Sequence, residues 1–194
     1  MTTAKDPESG ENFWYFWGSS SPFSQWHRCA FERGGHEFCT AEQWMMAQKA
    51  FCFGDDIHLA KILGTRNPKM QKIFGRKVVG YTDVRWHPWR WPAVYLGNYY
   101  KFSGPLGAEL IATQGYTLVE ASPTDKIWGI GWAETAPEAQ SRKLWRGANL
   151  LGRVLTQVRE DMLSGRAEAQ SLQYAQEIQL NEFEAKLRAL KEAA

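Results

Sequence analysis

The chain has too few cysteines to be built on disulfides. It carries three, Cys29, Cys39 and Cys52, an odd number with no Cys-x-x-Cys pair. That excludes a disulfide framework and a dithiol redox centre. Charge of one sign is scarce too. Lys and Arg total 23 against 21 Asp and Glu, so no strong overall field selects a partner. No uncharged apolar run approaches the length that crosses a bilayer. The start, Met1-Thr2-Thr3-Ala4-Lys5-Asp6, lacks the apolar stretch of a signal peptide. A cytoplasmic protein without a membrane partner is therefore expected. There is no Gly-x-Ser-x-Gly elbow, no P-loop and no Gly-x-Gly-x-x-Gly after a strand. His27, Cys29, His36 and Cys39 are spaced too irregularly for structural zinc, so no metal and no cofactor are expected. No internal repeat is visible.

What the chain does have is tryptophan, ten in 194 residues. Trp is bulky and amphipathic, so this many suggests aromatic-lined concavities as well as core. One segment gathers several chemical features. Thr117-Leu118-Val119 delivers Glu120, then a Ser122-Pro123 turn leads to Asp125, Trp128, Gly129 and Gly131. An acid, a flat aromatic face and a permissive backbone suit a sugar or nucleotide site.

Local signals divide the rest. Residues 1–11 are polar with Pro7 and Gly10 and read as a loose tail. Phe13–Trp17, Cys29–Phe31 and His36–Phe38 have strand character, and Gly34-Gly35 marks a hairpin. Thr40 and Gln43 form a capping box for a helix carrying Trp44, Ala47 and Phe51 on one face. Asp56–Leu63 and the segment opened by Asn67-Pro68 are further helices. Pro92–Phe102, Pro105–Thr113 and the amphipathic Asn149–Met162 complete the helical set. From Arg166 to Ala194 there is no Gly or Pro, and one helix is expected with Phe183, Leu187 and Leu190 as a narrow seam. Glu182 with Lys186 and Glu184 with Arg188 are favourable i,i+4 pairs. The seam either docks on its own domain or joins a partner helix in a homo-oligomer.

Two constellations invite chemistry. Glu42 and Lys49 are seven residues apart, so they share a helix face at a Cα separation of roughly 10 Å. That span is too long for a tight ion pair. It suits a grip on a ligand from two sides, or two ordinary solvated charges. The run Arg85-Trp86-His87-Pro88-Trp89-Arg90-Trp91 could stack bases and meet phosphates. It could equally be a loop with its Trp rings in the core and its Arg side chains wet, which is the favoured expectation.

Several separated motifs then fit one family. They are Pro22-Phe23-Ser24-Gln25-Trp26, Thr40-Ala41-Glu42-Gln43-Trp44 with Gln48-Lys49-Ala50, Gly75-Arg76, Trp86 and Lys101-Phe102. Leu118-Val119-Glu120, Asp125, Trp128-Gly129-Ile130-Gly131, Asn149-Leu150-Leu151-Gly152 and Arg159 follow in order. The chain resembles the NADAR superfamily, the YbiA-like N-glycosidases, over Phe13 to Arg159. Residues after Gly165 lie outside the resemblance, and Trp89-Arg90-Trp91-Pro92 is unusual for the family. The implied layout is a tail at 1–11, an N-glycosidase domain at 12–163 and a C-terminal helix at 164–194.

The resemblance implies a mostly helical α+β domain that hydrolyses an N-glycosidic bond. The substrate would be a ribosylated base: ADP-ribose on guanine, in nucleic acid, or ribose phosphate on a pyrimidine intermediate of riboflavin synthesis. The competing class is a module that binds ADP-ribose or NAD derivatives without cleaving them. Glu42 is the first carboxylate candidate and Asp125 the second, positioning water or a ribose hydroxyl. Lys101, and next Lys49, would serve a Schiff-base route. Trp86 and Trp128 would wall the base or ribose. Gly129 and Gly131 would admit a phosphate or hydroxyl to backbone N–H groups. Arg76 and Arg159 are candidate phosphate partners, and Glu120 is a substrate-side acid or an anchor for the Asp125 loop.

Overall fold

The computed structural model describes residues 2–166 and 174–193. It is an α+β protein, mostly helical, with two compact units: Met1–His27 with Pro105–Arg166, and Arg28–Gly104 with Ala167–Ala194. Among the described residues no helix is long and apolar enough to cross a membrane.

The first unit is organised on a three-stranded sheet. Strands β1 (Thr3–Lys5), β2 (Asn12–Phe16) and β5 (Thr117–Glu120) lie in the order β1-β2-β5. β1 pairs antiparallel with β2, Thr3 opposite Trp14. This corrects the expectation of a loose tail: Asp6 closes the turn after β1 by accepting from the Glu8 N–H at 2.9 Å, and that lets the short strand return. β2 and β5 run parallel, Phe13 opposite Thr117 and Phe16 opposite Glu120, so the chain between them must cross over. Phe13, Tyr15, Val119, Ala121 and Ile130 form the core beneath the sheet. Helix α5 (Gly107–Ile111) is shorter than the Pro105–Thr113 segment expected.

Helix α6 (Leu150–Leu163) packs on β5. Asn149, just before it, has φ +48°, the one left-handed non-glycine among the described residues. Its side chain spans the strand: Nδ2 donates to Leu118 O at 2.9 Å and Oδ1 accepts from Glu120 N at 3.0 Å. Gly152 follows because a Cβ there would stand 2.0 Å from Leu118 O.

The second unit is built round α1 (Ala41–Cys52), which packs against α2 (Asp56–Leu63), α3 (Pro68–Arg76) and α4 (Asp83–Phe102). Thr40 caps α1 as expected, accepting from Gln43 N at 3.0 Å. The reciprocal bond differs, since Gln43 Oε1 accepts from Cys39 N rather than from the N-cap. Strands β3 (Phe31–Arg33) and β4 (His36–Phe38) form the hairpin. Trp44 sits at the centre, fully buried, its Nε1–H donating to Ala93 O at 2.9 Å. Gly97 makes room for it: a Cβ there would lie 2.6 Å from Trp44 Cδ1. Gly97→Ala is expected to cost about 1–3 kcal/mol through overpacking; a urea unfolding curve measures it.

Helix α4 is the main departure from expectation. It starts at Asp83, capped by Thr82, and runs through both Pro88 and Pro92. The Arg85–Trp91 run is therefore helical, not a loop. Each proline removes one i→i−4 bond, to Val84 O and Pro88 O respectively, and both acceptor residues are exposed, so water can serve those carbonyls. The expectation for the tryptophans holds in part, with Trp86 buried and Trp89 and Trp91 half-buried.

Helix α7 (Tyr174–Glu192) belongs to this unit; the expected start of this helix falls partly on residues outside those described. Phe183 and Leu187 are buried, Phe183 against Trp44 and Phe51 at centroid distances of 5.4 and 5.2 Å. The Gly34 turn fits against Glu184 and Leu187. Of the two expected pairs, Glu184 and Arg188 approach to 3.8 Å, whereas Lys186 reaches Asp56 at 2.7 Å instead of Glu182. The apolar seam is thus filled by the chain's own α1 and hairpin.

Candidate functional site

In the first unit the Ser122–Gly131 loop is shaped by its own acid. Asp125 Oδ1 accepts from Ile127 N at 2.9 Å and Trp128 N at 2.8 Å, while Ser122 Oγ accepts from Asp125 N. Among the described residues no donor meets Asp125 Oδ2, so one carboxylate oxygen stays available to a ligand. The loop is then laced to the start of α6: Asn149 N donates to Gly129 O, and Leu151 N to Trp128 O. Trp128 is half-buried and Glu120 half-buried at the end of β5.

The two glycines of this loop answer to the protein's own packing. A Cβ on Gly129 would lie 2.8 Å from Glu120 O, and Gly131 has φ +73° with Arg146 Cβ 3.0 Å from the missing methyl position. Arg159 is engaged largely by the fold. It is 3% exposed, and its Nη1 donates to Thr113 O, Thr113 Oγ1 and Tyr116 O at 2.6–3.0 Å. Nε and Nη2 reach Glu160. It ties α6 to the turn after α5, and its burial leaves little guanidinium surface for a phosphate.

In the second unit α1 presents Glu42 and Lys49. Glu42 is 3% exposed in the first turn, and Lys49 is half-buried two turns on. The Lys49 ammonium lies 3.9 Å above the Tyr81 ring, a cation–π contact. Tyr81 in turn donates its hydroxyl to Asp83 Oδ1 at 2.5 Å and packs against Phe53. Burial lowers the Lys49 pKa; Asp83 opposes that, Arg76 adds to it, and Glu42 opposes it. The structure so brings Glu42, Lys49 and Arg76 into one electrostatic neighbourhood, with Arg76 exposed at its edge. Tyr81 and Asp83 complete it and were missed in the sequence. No spacing rule links Lys49 to a tyrosine two helices later.

The sign of the Lys49 shift has a consequence. Between the lowered value and the ordinary 10.5 the unfolded chain binds more protons than the folded one. Stability from this group therefore rises as pH rises through the folded pKa. Lys49→Met is expected to flatten that rise, read as the difference between wild-type and variant urea midpoints across alkaline pH.

Lys101, near the end of α4, is 2% exposed, with Nζ 5.0 Å from the Phe102 ring centroid. It faces Cys29, whose thiol burial pushes up and Lys101 pulls down. The Cys29 sulfur also meets the Ala41 N–H, beside Glu42 at the start of α1. Trp86 is 6% exposed, which leaves little of its ring for a ligand.

The chain is similar to several known proteins. An N-glycosidase of Acanthamoeba polyphaga mimivirus is 42% identical over 147 residues, 72% of this chain and 86% of that one. The Caenorhabditis elegans protein irg-1 is 39% identical over 131 residues, 65% of this chain; the chain spans 61% of that relative's length. The solution structure of the E. coli protein YbiA superposes with a TM-score of 0.64 at 21% identity, covering 88% of this chain and 96% of that one, a likeness of fold. The NADAR domain matches residues 13–163, most of the chain, and the chain belongs to the NADAR domain family.

Proposed function

We propose that this protein hydrolyses the N-glycosidic bond of a ribosylated base. One observation carries the reading: a buried carboxylate, Glu42, shares a helix with a half-buried lysine whose pKa burial has lowered. The 42% identity to a viral N-glycosidase supports the same class. Breaking a C–N bond at an anomeric carbon develops positive charge on the sugar. Glu42 supplies the opposing negative charge from a low-dielectric position, where it acts more strongly than in water. Within the first unit taken by itself, Asp125 Oδ2 is the acid open to water or a ribose hydroxyl, and Trp128 is the flat face of that loop. Arg76 is the phosphate partner, since its guanidinium is exposed.

The lysine route falls to Lys49 rather than Lys101. A ribose on an exocyclic amine opens to an imine; neutral Lys49 Nζ adds to C1, the base amine leaves, and water then hydrolyses the lysyl imine. Borohydride added during turnover is expected to trap an adduct on Lys49, located by peptide mass mapping. Normal turnover without any adduct would remove the lysine from the mechanism. The substrates to compare are ADP-ribosylated guanine in DNA and the ribosylated pyrimidine intermediate of riboflavin synthesis. Release of free sugar from either supports hydrolysis. Tight binding of both without release would make the protein a binding module instead.

A further inference from the structure

The Arg85–Trp91 run has no part in the chemistry above, yet two of its residues line a concavity of the second unit. Arg85 and Trp89 stand four residues apart on α4, hence on one face. With Phe51 and Cys52 of α1 and Gln179 and Glu182 of α7 they line a cavity of ≈ 370 Å³. That volume is typical of a small-molecule site.

We propose that this cavity binds a free guanine mononucleotide. Trp89 and Phe51 supply aromatic surface for a planar base. Arg85 is held at the wall: its guanidinium lies 5.3 Å from the Phe53 ring centroid and donates to the Cys52 thiol. Among the described residues no carboxylate lies within ion-pair distance of Arg85, and no cation lies within that distance of Glu182. Lys186, the partner expected for Glu182 from spacing, is taken by Asp56. Among the described residues the cavity therefore holds one cation and one acid, neither in an ion pair with a neighbour.

A ligand that uses both needs an anion, a planar ring and adjacent N–H donors. Guanine presents N1–H and the 2-amino group side by side, a pair that a carboxylate accepts together. The phosphate then goes to Arg85, and Gln179, one turn from Glu182 on the same face of α7, can reach a remaining polar edge or a ribose hydroxyl. Adenine offers one amino group beside an acceptor and matches Glu182 less well.

Isothermal titration of the full chain with GMP and with AMP tests this. GMP is expected to bind, and AMP at least about tenfold more weakly. Arg85→Ala is expected to weaken GMP by about tenfold or more, and Glu182→Gln to erase the preference for GMP over AMP. Glu42→Gln should bind GMP as the wild type does, which separates this site from the α1 cluster and from the reading of its activity. Absence of GMP binding overturns the proposal. So does equal affinity for the two nucleotides in the wild type, or GMP binding that survives Arg85→Ala and Glu182→Gln.

Discussion

Glu42→Gln is expected to lower turnover on a ribosylated base by roughly 10²–10³-fold, the usual cost of removing one preorganised electrostatic partner of a transition state. The substitution keeps shape and volume and deletes charge. Glu42 is 3% exposed, so its field reaches a reacting sugar with little screening. The charge it opposes exists in the transition state and not in the bound substrate, so kcat should carry the loss with KM nearly unchanged. Steady-state kinetics on both substrate classes read this out, alongside a thermal melt to show that the variant folds. A variant that folds and turns over at the wild-type rate removes Glu42 from the role given to it.

Asn149→Ala is expected to be the most damaging single change in the first unit, at about 3–4 kcal/mol. Two hydrogen bonds to β5, one buried and one part-buried, disappear together, leaving Leu118 O and Glu120 N without their side-chain partner. The alanine must also hold φ +48°, which adds about 1 kcal/mol because its Cβ crowds the carbonyl oxygen in the left-handed region. Asn149→Gly should recover that last part and none of the rest. The loss is a large fraction of a typical domain's stability of about 5–15 kcal/mol. Activity should fall with it, since the backbone at Asn149 and Leu151 holds the carbonyls of Gly129 and Trp128. Chemical denaturation of the three proteins measures both terms; a loss below about 1 kcal/mol for Asn149→Ala would mean the bonds are replaced by others.

The local grammar of the sequence was legible where a side chain acts on its own backbone neighbours. Thr40 before α1 and Asn67-Pro68 before α3 announce helix starts because their bonds close within three residues. Asp125 is a similar case, an acid that shapes the turn carrying Trp128. The start of α4 was not legible. Pro88 and Pro92 argue against a helix by local rule, and the helix persists because the carbonyls they leave unserved belong to exposed residues. The N-terminal strand was hidden for a different reason, since its partner in β2 lies beyond a turn that Asp6 closes.

Among the site residues the divide is the same. That Glu42 and Lys49 share a face follows from helix period alone. That Lys49 sits on Tyr81, with its pKa lowered by burial, depends on elements some thirty residues apart in the chain. Arg159, Gly129 and Gly131 looked like ligand-facing residues in sequence. Packing accounts for their residue types, because a buried guanidinium must find carbonyl partners and a close backbone crossing cannot admit a Cβ.

The sequence by itself determined the starts of α1 and α3, the hairpin, the membership of the NADAR family and the acids worth testing. These rest on short-range bonds and on ordered motifs that a linear chain displays. Tertiary structure alone decided which charges are spent on the fold and which stay available, that α7 covers its own unit, and that Arg85 and Glu182 face one cavity. Burial and long-range pairing set those outcomes, and neither is a property of any residue read with its neighbours in sequence.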